Sequence, residues 1–283
     1  MRYATLVLAF VVAVNATVIS FFKRRFDALN AQLLGYLAGQ HCQEMSNSDV
    51  RCFTSAIKFF LPWTPRERIT AELRGIEKAT PTTPTTPITL PIMIALAVFA
   101  SVKLGAEFGC AIVVGFFGLL RANEIINVVG MDIIKRSAYC KATTIRLGKT
   151  KNNREESIQF GENSIAERAL LFALAKNGHI PGKKLFGFRK YSELYKLVAE
   201  FNAAFQVNIH ITPHSLRAGG ATYYRMQNWS MDEISVTGRW SNVSTTKSYV
   251  DVVYALLPET IEAEKQVQPR NLEALCPFLA PES

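Results

Sequence analysis

The sequence predicts a mainly α-helical protein with one small antiparallel β-sheet, an α+β fold in which a helical N-terminal unit precedes a larger second domain. Three observations carry this. Apolar residues recur at helical spacing through most of the 283 residues. Residues 133–160 alone change character, to short β-branched runs separated by a polar loop. The tract from Thr80 to Pro87, with prolines at 81, 84 and 87, can neither continue a helix nor supply a central strand, so it marks a boundary.

The N-terminal unit, residues 1–79, opens on the mostly apolar stretch Ala4 to Phe22, preceded by Arg2 and followed by Lys23, Arg24 and Arg25. Thr5, Asn15, Thr17 and Ser20 interrupt it, which favours a buried helix, or the edge of a larger protein, over a signal peptide or membrane anchor. Phe26, Leu29, Leu33 and Leu37 then form a helical stripe, and Val50, Phe53, Ile57 and Phe60 form another. Residues 80–87 read as a semi-extended linker. Beyond it, Pro91 to Leu104 and Glu107 to Leu120 suit two largely buried helices. Thr143 to Leu147 and Ser157 to Phe160 suit strands, with the polar run Lys149 to Glu156 as the loop between them. Ser164-Ile165-Ala166-Glu167 and Ser230-Met231-Asp232-Glu233 have the capping-box pattern and start two further helices, which Gly178 and Gly238 are placed to stop. Ser192 opens another helical run, to Phe205.

A net charge of +9 and a pI near 9.4 point to a polyanionic partner, nucleic acid or an anionic membrane surface. The five cysteines (Cys42, Cys52, Cys110, Cys140 and Cys276) are scattered and never closely paired, which argues against a zinc or disulfide framework.

Four separated pieces carry chemistry. In Gly118 to Ile125, Arg121 follows an apolar helix and Glu124 stands three residues on; by itself this is a helix-end ion pair. The loop Lys149-Thr150-Lys151-Asn152-Asn153-Arg154 puts cations on an arm between two strands. In Pro213 to Thr222, His214 and Arg217 lie three apart at a helix start, so they share a face and can reach one anion, with Gly219 and Gly220 permitting close approach. In Thr237 to Val250, Trp240 is followed nine residues later by Tyr249. Read together, these residues suit phosphoryl transfer. Fixed cationic donors stabilise charge on non-bridging phosphate oxygens. A phenol can hold the broken end covalently, and a lysine can protonate the leaving oxygen. Nothing in the set calls for a metal or other cofactor.

The ordered set resembles the tyrosine recombinase (phage integrase) family, including its Cre-type branch, over roughly Pro87 to Tyr254. The resemblance implies that Arg121 is the first catalytic arginine with Glu124 as its acidic companion, and that Lys151 is the hairpin lysine, with Lys149 the second candidate. It also implies that His214 and Arg217 form the His-x-x-Arg pair, that Trp240 stands where a second histidine often does, and that Tyr249 is the nucleophile. The implied activity is site-specific DNA recombination through a 3′-phosphotyrosyl intermediate, by a homo-tetramer on double-stranded DNA in the nucleus or cytoplasm. The implied domains are a DNA-clamp-like unit 1–79, the linker 80–87, a catalytic domain 88–258 and a tail 259–283. The front departs from the family pattern in being short and apolar, as in recombinases of eukaryotic mobile elements. Two other readings share these residues, a type IB topoisomerase and a domesticated, catalytically inert DNA-binding protein. Membrane association, resting on Ala4 to Phe22 alone, is the third.

Overall fold

A computed structural model of the chain describes residues 85–149, 155–178, 180–207, 209–241, 243, 244, 246, 247, 250, 253, 256–265, 267 and 278, together with Ser55. The chain divides into two compact units, Met1–Thr83 and Pro84–Ser283. The apolar stretch Ala4 to Phe22 and the two expected N-terminal helices, Ser55 excepted, lie outside the described residues. Among the described residues no helix is long and apolar enough to cross a membrane.

The core of the second unit is built on two helices that are apolar on every side, α1 (Leu90–Leu104) and α2 (Ala106–Phe117), with a reversal at Gly105, whose φ of 129° suits glycine. Helices without a polar face must be covered all round. Helix α1 buries Ile92, Met93, Leu96 and Ala100, and α2 buries every residue from Gly109 to Phe116. A short helix, α3 (Ala122–Asn127), and a 3-10 turn, Gly130–Asp132, lead to the sheet.

The sheet has the order β1 (Ile133–Ile134), β2 (Thr143–Lys149), β3 (Glu155–Phe160), all antiparallel. Ile145 faces both Ile133 and Ile158 and turns the sheet's apolar side to the core. The polar run expected as loop is shorter than the sequence suggests. Strand β2 continues to Lys149 and β3 begins at Glu155, and these two residues are partners in the backbone register across the hairpin. An irregularity between Arg146 and Gly148, with Gly148 at φ 63°, bends β2 just before that end.

Helix α4 (Ile165–Asn177) begins where the sequence places it, with Ser164 Oγ accepting from Glu167 N at 3.1 Å. The buried Glu167 carboxylate accepts from Thr143 Oγ1 of β2 and from Asn163 N, fastening the helix start to the sheet. Helix α5 (Tyr191–Phe205) packs on α1 and α3, and α6 (Pro213–Met226) crosses α2. Helix α7 (Met231–Gly238) follows, and the last helix with described bounds, α8 (Leu257–Glu264), closes over the domain entrance. There Thr260 Oγ1 donates to Pro87 O at 3.0 Å. Pro87 and Ile88, at the end of the Pro/Thr tract, are buried in this unit. From the segment 259–283, Ala263, Val267 and Phe278 join its main core, Phe278 beside Phe172 of α4.

Candidate active site

The site is organised by a tight turn that the sequence does not reveal. The second apolar helix, expected to reach Leu120, stops at Phe117. Gly118 N and Leu120 N donate back to Val114 O and Gly115 O at 2.9 and 3.0 Å, and Leu119 adopts a left-handed φ of 47°. The Leu119 side chain is buried, while its carbonyl accepts from two guanidinium groups, Arg217 Nη1 at 2.7 Å and Arg239 Nη2 at 3.1 Å.

Arg121 emerges from this turn as the N-cap of α3, a new helix rather than the end of α2. Glu124 reaches back to it twice, accepting from Arg121 N at 2.8 Å and from Arg121 Nη1 at 2.6 Å. One carboxylate therefore caps the helix and aims the guanidinium.

His214 and Arg217 occupy the first turn of α6, which Pro213 starts and Thr212 caps. They divide the labour of that face. The His214 ring is exposed, whereas Arg217 is 2% exposed. Arg217 donates to Leu119 O and Gly238 O, and its guanidinium carbon sits 4.3 Å from the centre of the Trp240 ring, a cation–π contact. A side chain held at two carbonyls and an indole face is a rigid cation. Gly219 and Gly220 make the crossing possible, because a Cβ there would overlap the backbone carbonyls of Ile88 and Phe116.

Helix α7 ends at Gly238, but not because glycine supplies the left-handed cap. That conformation is taken by Arg239, at φ 55°. Gly238 is needed for close approach, since any Cβ would overlap the Trp240 ring. The buried Arg239 then donates to Gly118 O at 3.2 Å, Thr237 O at 2.9 Å and Glu124 Oε2 at 2.8 Å, and its Nε faces Glu156 Oε2 of β3 at 3.4 Å. Glu156 is also 4.0 Å from Arg121 Nη1. Arg239 and Glu156 were not among the residues singled out from the sequence. An arginine after a helix-stopping glycine reads as exposed, and a glutamate in a polar run reads as loop.

Electrostatics follow from this grouping. Burial pushes the Glu124 carboxyl up, but the Arg239 charge and the hydrogen bonds from Arg121 outweigh it and hold the pKa below the usual value. For His214, desolvation on its protein-facing side and then the charges of Arg217 and Arg121 hold the imidazole below its ordinary value. A neutral imidazole beside two guanidinium groups can accept a proton.

Arg121, Glu124, His214, Arg217 and Trp240 are therefore brought together. Lys149 is described as the backbone end of β2, and Lys151 and Tyr249 lie outside the described residues. Of the residues flanking Tyr249, Val250 is buried with Leu119, Ala221 and Ile234, and Thr246 Oγ1 lies 3.2 Å from Ser235 Oγ of α7.

No protein-family model matches the sequence, and no curated protein is detectably similar to it. Solved structures do match. The Tn1549 transposon integrase in complex with a circular intermediate DNA aligns over 78% of this chain and 80% of its own, at 15% identity and a TM-score of 0.55. The same integrase with transposon right end DNA aligns over the same shares at 16% identity and a TM-score of 0.55. The XerH site-specific recombinase bound to palindromic difH substrate aligns over 83% of this chain and 76% of its own, at 15% identity and a TM-score of 0.49. The mostly helical architecture with its small three-stranded antiparallel sheet is the tyrosine recombinase catalytic fold.

Proposed function

We propose that the chain is a site-specific DNA recombinase that cleaves and rejoins double-stranded DNA through a 3′-phosphotyrosyl intermediate, acting as a homo-tetramer on its site. The observation that carries this reading is the meeting of Arg121, His214, Arg217 and Trp240, from three separate stretches of sequence, around the Leu119 turn. The fold neighbours solved with DNA support the choice of partner.

In this reading Arg121 and Arg217 stabilise the charge that develops on the non-bridging oxygens of the scissile phosphate, assisted by donors from His214 and the Trp240 indole. The Tyr249 oxygen bonds to phosphorus as the bond to the 5′ oxygen breaks. The phenol proton passes to a neutral acceptor, for which His214 is suited by its lowered pKa. The departing 5′ oxygen takes a proton from Lys151, with Lys149 the second candidate. Rejoining reverses these steps with a 5′ hydroxyl from the partner duplex. Glu124 aims Arg121 and does not touch the phosphate.

The test is adduct formation on nicked suicide DNA with a metal chelator present. Wild type should form a covalent protein–DNA adduct. Tyr249→Phe should bind DNA but form none. Arg217→Ala should be slower by about 10²- to 10³-fold. Lys151→Ala should also be slow, and a 5′-phosphorothiolate substrate, whose leaving group needs no proton, should restore its rate but not that of Arg217→Ala. Intact DNA binding without any wild-type adduct would overturn the proposal in favour of an inert DNA-binding protein.

A further inference from the structure

Arg239 has no part in the chemistry just described, yet it is the most elaborately held cation among the described residues. Its side chain is 5% exposed. It reaches three backbone carbonyls (Gly118, Leu119 and Thr237) and two carboxylates (Glu124 and Glu156). Stability is a poor reason for this arrangement. The left-handed backbone at φ 55° is one that glycine would occupy without strain. A buried ion pair, moreover, loses most of its attraction to desolvation. What the arrangement does secure is geometry. Glu124 divides its two oxygens, Oε1 taking Arg121 Nη1 at 2.6 Å, and Oε2 taking Arg121 N and Arg239 Nη2, both at 2.8 Å. A carboxylate gripped from the far side by a buried guanidinium cannot rotate, so the guanidinium it aims cannot either. The carbonyls that Arg239 also binds belong to the turn leading directly into Arg121, which orients the Arg121 backbone as well.

We propose that Arg239 is a positioning residue for Arg121, acting through Glu124 and the 118–120 turn; this rests on the recombinase reading above. Glu156 of β3 adds a second carboxylate beside Arg239, an ion pair without a hydrogen bond, its Oε2 3.4 Å from Nε. Lysine in place of Arg239 keeps the charge but loses the planar fork that joins the turn to Glu124.

The experiment is a double-mutant cycle read as single-turnover adduct formation on suicide DNA, with DNA affinity measured in parallel. Arg239→Lys should slow adduct formation by about 10- to 100-fold, the scale of a small misplacement of a reacting group. DNA affinity should stay within about threefold, because the loss is confined to the transition state. In an Arg121→Ala background the same substitution should change the rate by less than about twofold, since the group it positions is gone. Should Arg239→Lys fail to fold, judged by its thermal unfolding, Glu156→Gln carries the test. It loosens Arg239 while keeping volume, and should give a smaller slowing, about 3- to 10-fold, that likewise disappears in the Arg121→Ala background. Effects that multiply with Arg121→Ala, or an Arg239→Lys rate within twofold of an active wild type, would overturn the positioning role and leave the recombinase reading standing. A wild type that forms no adduct would overturn both.

Discussion

His214 shows most directly how neighbours set the behaviour of a single residue. Its depressed pKa means that the folded protein binds the His214 proton less tightly than the unfolded chain does. Between the folded value and the ordinary value of 6.5, the unfolded state therefore holds more protons, and stability falls as pH drops through that window. Melting temperatures across pH 7 to 5 should fall for wild type, and fall less steeply for His214→Gln, which cannot be protonated. A wild-type curve parallel to that of the variant would mean that folding does not lower the His214 pKa, whether by desolvation or by the two arginine charges. At this scale the identities of Arg121, Glu124, His214, Arg217 and Trp240 were legible as an ordered set, because each is of a type that phosphate chemistry needs. Arg239 and Glu156 were not, since what distinguishes them is burial and a shared carboxylate, neither of which is written in local spacing.

Helix α6 is the element on which the site depends. Its first turn carries His214 and Arg217, its middle presses Gly219 and Gly220 against the carbonyls of Ile88 and Phe116, and its last turn sends the Tyr224 hydroxyl to Phe117 O at 2.7 Å. Burial pushes that Tyr224 phenol up to about 12, so it stays a donor to the carbonyl at the end of α2. Gly220→Ala should destabilise the domain by about 1–3 kcal/mol, because a backbone carbonyl cannot move aside as a side chain can. The expected signature is a lower urea midpoint with an unchanged slope. A midpoint equal to or above wild type would mean that the alanine's better helix propensity outweighs the overlap. The helices were legible from apolar spacing and from the caps at Ser164 and Ser230, both of which form. Their ends were less so. Helix α2 stops three residues before the expected Leu120, at a turn where Leu119 is left-handed and where the carbonyls of Phe117, Gly118 and Leu119 accept from Tyr224, Arg239 and Arg217.

For the whole molecule, the net charge of +9 sets an expectation for binding. If about six phosphates are neutralised, the log–log dependence of DNA affinity on salt should have a slope of about −5. Fluorescence anisotropy over a range of salt measures it, and a flat response would point to a protein or membrane partner. The sequence by itself determined the α+β class, the place of the sheet, and the residue types that a phosphoryl-transfer site requires. Hydrophobic periodicity and capping are local properties, and the ordered motif is carried by side-chain chemistry alone. Only the tertiary structure decided that Arg121 begins a helix of its own, that the polar hairpin is strand to Lys149 and from Glu155, and that Gly238 serves the approach of Trp240. It alone decided that a buried arginine at position 239 joins α3, β3 and the Leu119 turn into one charge-balanced cluster. The physical reason for this last feature is range: the cluster rests on hydrogen bonds and ion pairs between residues more than eighty positions apart, formed only when α2, β3, α6 and α7 pack together.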